Sequence, residues 1–238
     1  MKKLFLLGAL FLAAYSYSQT IVITSEQEVM PSNWSAYLEL HDQFFGDVTF
    51  NEGGGVVVQR IRVSDGKYTM RRIRYGKMNN WGISSDRGEF ESSSFWRGLG
   101  DQVKDWGPNY ASKSLFYQGG GNNKNKFAQV YEAKVKDPQA FLNSFKTWLN
   151  ENKKVIKDRW INVAEFTIAG PNGATHAVTI TAENWIELEQ MREAWLGNAK
   201  SAQKFFQNRG EVIDTRNFLV ERLRHYNNDR IKAGTTKD

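Results

Sequence analysis

The residues best able to do chemistry gather in one predicted β-hairpin, Val56 to Tyr75. Asp65 and Gly66 form a two-residue turn signal. A tip of that length pairs Ser64 with Lys67, Val63 with Tyr68, Arg62 with Thr69, Ile61 with Met70 and Arg60 with Arg71. Side chains alternate across a strand, so Arg60, Arg62, Arg71 and Ile73 share one face. Val57, Ile61, Val63, Tyr68 and Met70 share the other, expected beneath the helices. Like charges directly opposite one another cost up to about 1 kcal/mol unless an acid or anion lies between them. Guanidinium groups suit bidentate contacts with carboxylates. The expected ligand site is therefore Arg60, Arg62 and Arg71 around a small anion. The competing reading is a solvated strand face whose arginines pair with acids from neighbouring elements.

Other chemistries are poorly supplied. His41, His176 and His225 are far apart and lack metal-like spacing, so no metal site is expected. His41 falls on the apolar side of a helix stripe, His176 follows a turn, and His225 ends a strand and is expected to be exposed. A haem would need one of the three as an axial ligand, and none stands out, so no cofactor is assigned. The 238 residues contain no cysteine, which excludes disulfides, thiolate metal sites and cysteine nucleophiles. No nucleophile elbow, phosphate loop or dinucleotide fingerprint occurs. The glycine runs at Gly53–Gly55 and Gly119–Gly121 read as turn and linker.

The elements that must position these residues repeat. Cut near Gly119 to Asn125, the chain reads β-α-β-β-α-β twice. In the second half, Phe127–Val135 is a strand, and Asp137 with Pro138 opens a helix with Phe141, Phe145, Trp148 and Leu149 on one side. Ile161–Ile168 and Ala174–Thr181 form a hairpin through Asn172 and Gly173. Thr181 is expected to cap a helix carrying Trp185, Leu188, Met191 and Trp195; a short helix and a strand, Asp214–Leu223, follow. The first half matches it with strand Thr20–Ser25, a helix from Pro31, the hairpin, a helix with Phe95, Leu99, Val103 and Trp106, and strand Ala111–Gln118. Pro31 and Pro138 are 107 positions apart, and Val56 and Ile161 are 105 apart.

This order resembles the ferredoxin-like fold, and two such units in one chain resemble a fused form of the dimeric α/β-barrel superfamily. That superfamily includes antibiotic-biosynthesis monooxygenase-like proteins, haem-degrading oxygenases, chlorite dismutases and dye-decolourising peroxidases. The resemblance implies an α+β, pseudo-dimeric α/β barrel: first repeat 19–121, second repeat 122–230, polar tail 231–238. It also implies a cavity where uncovered sheet faces meet, and a monomer. No member's catalytic motif is present, so no functional residue is carried over.

Address and charge narrow the partners. Lys2 and Lys3 precede an uncharged apolar run from Leu4 to Ala14 and small residues at Ser16 and Ser18, the layout of a signal peptide over 1–18. The expected protein is secreted or periplasmic, with no membrane span after cleavage and no lipidated cysteine. Removing two lysines lowers the net charge from +6 to +4, too little and too dispersed for a nucleic-acid partner. The leading expectation is an exported protein binding a small or anionic ligand. The alternatives are a cofactor-independent or haem-dependent oxygenase, and an envelope module displaying Trp81 and Trp96 from the 76–96 segment.

Overall fold

A computed structural model describes residues 19–84, 87–119 and 124–238. The predicted leader, 1–18, and part of the predicted linker lie outside them. The first unit runs β1 (Thr20–Val29), α1 (Trp34–Phe45), β2 (Gly55–Val63), β3 (Met70–Lys77), α2 (Glu89–Gln102) and β4 (Val103–Gln118). The second runs β5 (Phe127–Val135), α3 (Pro138–Glu151), α4 (Lys153–Ile156), β6 (Ile161–Ile168), β7 (His176–Ala182), α5 (Trp185–Gly197), α6 (Ala199–Asn208) and β8 (Val212–Tyr226), with α7 (Asn228–Ala233) after it.

The strands close into one antiparallel barrel in the order β1-β3-β2-β8-β5-β7-β6-β4. Within each unit the order is fourth, first, third, second strand, which is the ferredoxin-like arrangement. The edge strand of each unit pairs with the last strand of the other, β2 with β8 and β4 with β6. Closure leaves no exposed sheet edge. The fold is thus the fused, pseudo-dimeric α/β barrel.

The duplication is written into the hydrogen bonds. Thr69 Oγ1 bridges the Val29 N–H and carbonyl at 2.9 and 2.8 Å, and its own N–H donates to the Gln27 carbonyl. Thr175, 106 positions later, bridges Val135 at 2.9 and 3.5 Å and donates to Ala133. Ser25 faces Arg72 across β1 and β3 as Tyr131 faces Val178 across β5 and β7, so counterparts in these strands are 106 apart throughout.

Each unit packs its helices on one sheet face. Val29, Tyr37, Phe45, Val58, Met70, Phe95 and Leu99 fill the space in the first, and Phe141, Phe145, Trp148, Val163, Val178 and Trp195 in the second. Within the barrel, Ile61, Ala128, Val130, Phe218 and Val220 form a third cluster with Tyr68. The interior expected to be a cavity between the repeats is therefore packed along this stretch.

Several local expectations change. The stripe assigned to the second helix stops at Gln102, and Val103 and Trp106 belong to β4, where Val103 pairs with Val29. Thr181 does not cap α5: its Oγ1 is committed to the backbone of Trp160, and the Asn184 side chain accepts from the Glu187 N–H at 3.0 Å instead. Trp185 is exposed. Residues 231–238 carry the end of α7, and Asp238 pairs with Arg222 and Arg230. Asn228 pairs with both backbone groups of Phe50, so the chain's end is fastened to the first unit.

Candidate functional site

The decisive local fact is the register of β2 against β3. Arg60 pairs with Met70, Gln59 with Arg71, Val58 with Arg72 and Val56 with Arg74. That is one residue away from the register a two-residue Asp65–Gly66 turn would set, and a one-residue slip moves every side chain of one strand to the other face. The cause is Thr69. Its bonds to β1 and to the Ile61 N–H fix β3 from the side, and Ser64 to Thr69 form a longer loop.

Of the three arginines expected together, Arg60 and Arg62 converge on Glu221, while Arg71 is apart from them. Arg60 lies on the helix side, its guanidinium 5.0 Å from the centre of the Trp34 ring and 2.7 Å from Glu221. Arg62 is partly exposed and shares Glu221 at 3.3 Å. Arg71 points into the barrel, over the Phe218 ring, and donates to the Tyr110 hydroxyl at 3.0 Å. There it joins Glu26, which accepts from Tyr110 at 2.9 Å and from Arg216 at 2.9 and 3.1 Å. Glu132 is the counterpart of Glu26 in the second unit. Glu26 faces Arg71 across the ladder, whereas Glu132 faces Ala177 on one side and Arg216 on the other. Burial dominates at Glu132 and pushes its carboxyl up to about 7, opposed by Arg71 and Arg216.

Arg72 and Arg74 follow Met70 at two-residue steps along β3 and so point toward the helices of the first unit. They line a cleft of about 210 Å³ walled by aromatic side chains, among them Phe44, Phe50, Trp81, Phe95 and Trp96. Phe44 and Phe95 stack at 4.4 Å, and the Arg72 guanidinium sits 4.6 Å from the centre of the Trp96 ring. Arg72 is 3 % exposed, yet among the described residues its Nε and Nη1 have no hydrogen-bond partner, nor does the Arg74 Nε. Among the described residues, no carboxylate lines the cleft. Burial, then the neighbouring Arg74, pushes Arg72 down to about 10, so it is still a cation at neutral pH. Desolvation by burial, followed by Arg72, holds His41 down at about 3; its Nδ1 lies 2.7 Å from the Tyr37 carbonyl, so the neutral ring donates there.

A buried guanidinium with unpaired nitrogens costs free energy on the order of several kcal/mol unless something compensates it. The fold itself does not require one here. The counterparts of Arg72 and Arg74 in the second unit are Val178 and Ile180, both in the apolar core beneath α3 and α5. Trp96, expected exposed on a loop, is exposed but lies on α2, where it forms part of this wall, and Trp81 is half-buried against it. Arg72 and Arg74 share the face of Met70, expected beneath the helices as core, and that assignment hid them; the turn signal separately set the wrong register. Aligning Thr69 with Thr175 would have set the right one.

No protein-family model and no curated protein sequence matches the chain. Solved structures do. Two described as "putative monooxygenase", from Fusobacterium nucleatum and Lactobacillus acidophilus, superpose with TM-scores of 0.61 and 0.60, each at 11 % identity. The matches cover 89 % and 88 % of this chain and 96 % of each of those chains. A heme-binding protein from Thermus thermophilus superposes with a TM-score of 0.50 at 9 % identity, over 91 % of this chain and 95 % of that one. At such identities the likeness is one of fold.

Among the described residues, no histidine is placed to hold a haem. Its iron would need an axial side chain. His41 is fully buried among Tyr37, Phe45 and Phe95. His176 is buried beside Phe141 and bonded to Thr175. His225, expected to be exposed, is half-buried with its Nε2 2.7 Å from the Tyr75 hydroxyl. That close pairing depends on Gly55, where a Cβ would lie 2.4 Å from the Tyr75 hydroxyl.

Proposed function

We propose that the chain is an exported binding protein whose first unit holds a small anion in the Arg72–Arg74 cleft. One observation carries this reading: Arg72 is buried, lines a cleft and lacks partners among the described residues for two guanidinium nitrogens, while its counterpart is Val178. An anion would supply the missing partner, and a guanidinium is the side chain best suited to hold one. Export is supported by the charged, then apolar, then small-residue start of the sequence. No described helix is long and apolar enough to cross a membrane. A monomer is favoured because the two units already close the barrel.

The oxygenase alternative has the likeness to monooxygenase structures in its favour. Its haem-dependent form is disfavoured because His41 and His176 are buried and His225 is bonded to Tyr75. A cofactor-independent oxygenase would use the same cleft as its substrate pocket. Native mass spectrometry of residues 19–238 addresses ligand and assembly together. The expected spectrum shows one chain carrying a small acid that Arg72→Met loses. A stable dimer would remove the monomer, and identical adduct patterns in both proteins would remove the anion site.

A further inference from the structure

The cleft has two walls of opposite character, and together they define a ligand. Its floor is the helix-side face of β3, where Arg72 and Arg74 stand two positions apart, about 7 Å along the strand. Its other wall is the stacked Phe44–Phe95 pair with Phe50, Ile83 and Trp96. A site for an inorganic anion needs only the first wall. A site for an apolar molecule needs only the second and would be weakened by unpaired guanidinium groups. A cavity of about 150 Å³ accepts benzene. The 210 Å³ here leaves room for a ring-sized or short-chain body and one acidic group.

We infer that the ligand is a small amphiphilic carboxylate, its head on Arg72 and Arg74 and its apolar body against Phe44 and Phe95. This rests on the anion-site reading above and adds the body to the head. Desolvated head and apolar body then act together. The carboxylate satisfies donors that water reaches poorly, and the ring wall removes the body from water at about 25 cal/mol per Å² of apolar surface.

Calorimetric titration of residues 19–238, dialysed free of small molecules, separates the possibilities. The probes are benzoate and hexanoate for the whole ligand, acetate and sulfate for the head, and benzyl alcohol for the body. Benzoate and hexanoate should bind at least tenfold tighter than acetate or sulfate, and benzyl alcohol should give no saturable heat. Arg72→Met should weaken benzoate at least tenfold, and Arg74→Gln, at a less buried position, should do the same if the first variant fails to fold. If acetate and sulfate match benzoate and Arg72→Met abolishes all three, the anion site stands and the amphiphilic ligand is overturned. If benzyl alcohol matches benzoate, or no anion binds, both readings fall.

Discussion

Arg72 and Glu132 are each a buried charge whose counterpart in the other unit sits in a different setting. For Arg72 the counterpart is apolar Val178; for Glu132 it is Glu26, which has Arg71 opposite it. The β-rich runs placed Arg71, Arg72, Glu132 and Val178 in strands and ended the first strand one residue before Glu26, but what a strand arginine meets depends on neighbouring elements that its own sequence did not determine. Glu132 makes a solution prediction. Burial raises its carboxyl to about 7, against 4.5 when unperturbed, so between those values the folded chain holds a proton the unfolded chain has released. Its contribution is fully present below pH 4.5 and is lost as pH rises toward 7. Glu132→Gln should flatten that decline, by about 1.4 kcal/mol for each pH unit of displacement, in urea unfolding across pH 4.5 to 7.5. Parallel curves for both proteins would mean that Glu132 stays ionised in the fold.

At the scale of elements, strands with unambiguous boundaries were legible, and their joints were not. Phe127–Val135 and Ile161–Ile168 coincide with β5 and β6 because β-rich runs are bounded by turn residues on both sides. The β2–β3 joint failed because Asp65–Gly66 outweighed a threonine whose role appears only once β1 is beside it. The end of α2 failed because Val103 and Trp106 continue an apolar helical spacing into a strand. Thr69 and Thr175 also give a test of the repeat. Each side chain bridges the same two backbone groups of its partner strand, so Thr69→Val and Thr175→Val should each destabilise by roughly 1–2 kcal/mol in chemical denaturation. A substantial loss at one threonine and none at the other would show that the shared bonding pattern is not a shared structural requirement.

For the whole molecule, the tandem ferredoxin-like order and the α+β barrel were readable from the alternation of strand and helix runs, whereas the place of the site was not. The resemblance pointed to a cavity between the units, but Ile61, Val130, Phe218 and the Glu26–Arg71–Arg216 network occupy the barrel interior. The cleft lies instead within the first unit, on the helix side of its sheet, where the two halves of the duplication differ most in chemistry. Such a division is physically sensible. One unit can keep an apolar core that stabilises the barrel while the other carries desolvated charge for a ligand, at a cost in stability.

That cost is directly measurable. Methionine replaces the aliphatic stem of arginine without its charge, and the cation–π contact it would forgo with Trp96 is worth about 1 kcal/mol, less than the desolvation of an unpaired guanidinium. Urea unfolding of ligand-free residues 19–238 should therefore find Arg72→Met more stable than the parent chain by about 1–3 kcal/mol. A variant less stable by a similar amount would contradict the account, because the guanidinium would then be holding the fold together rather than waiting for an anion.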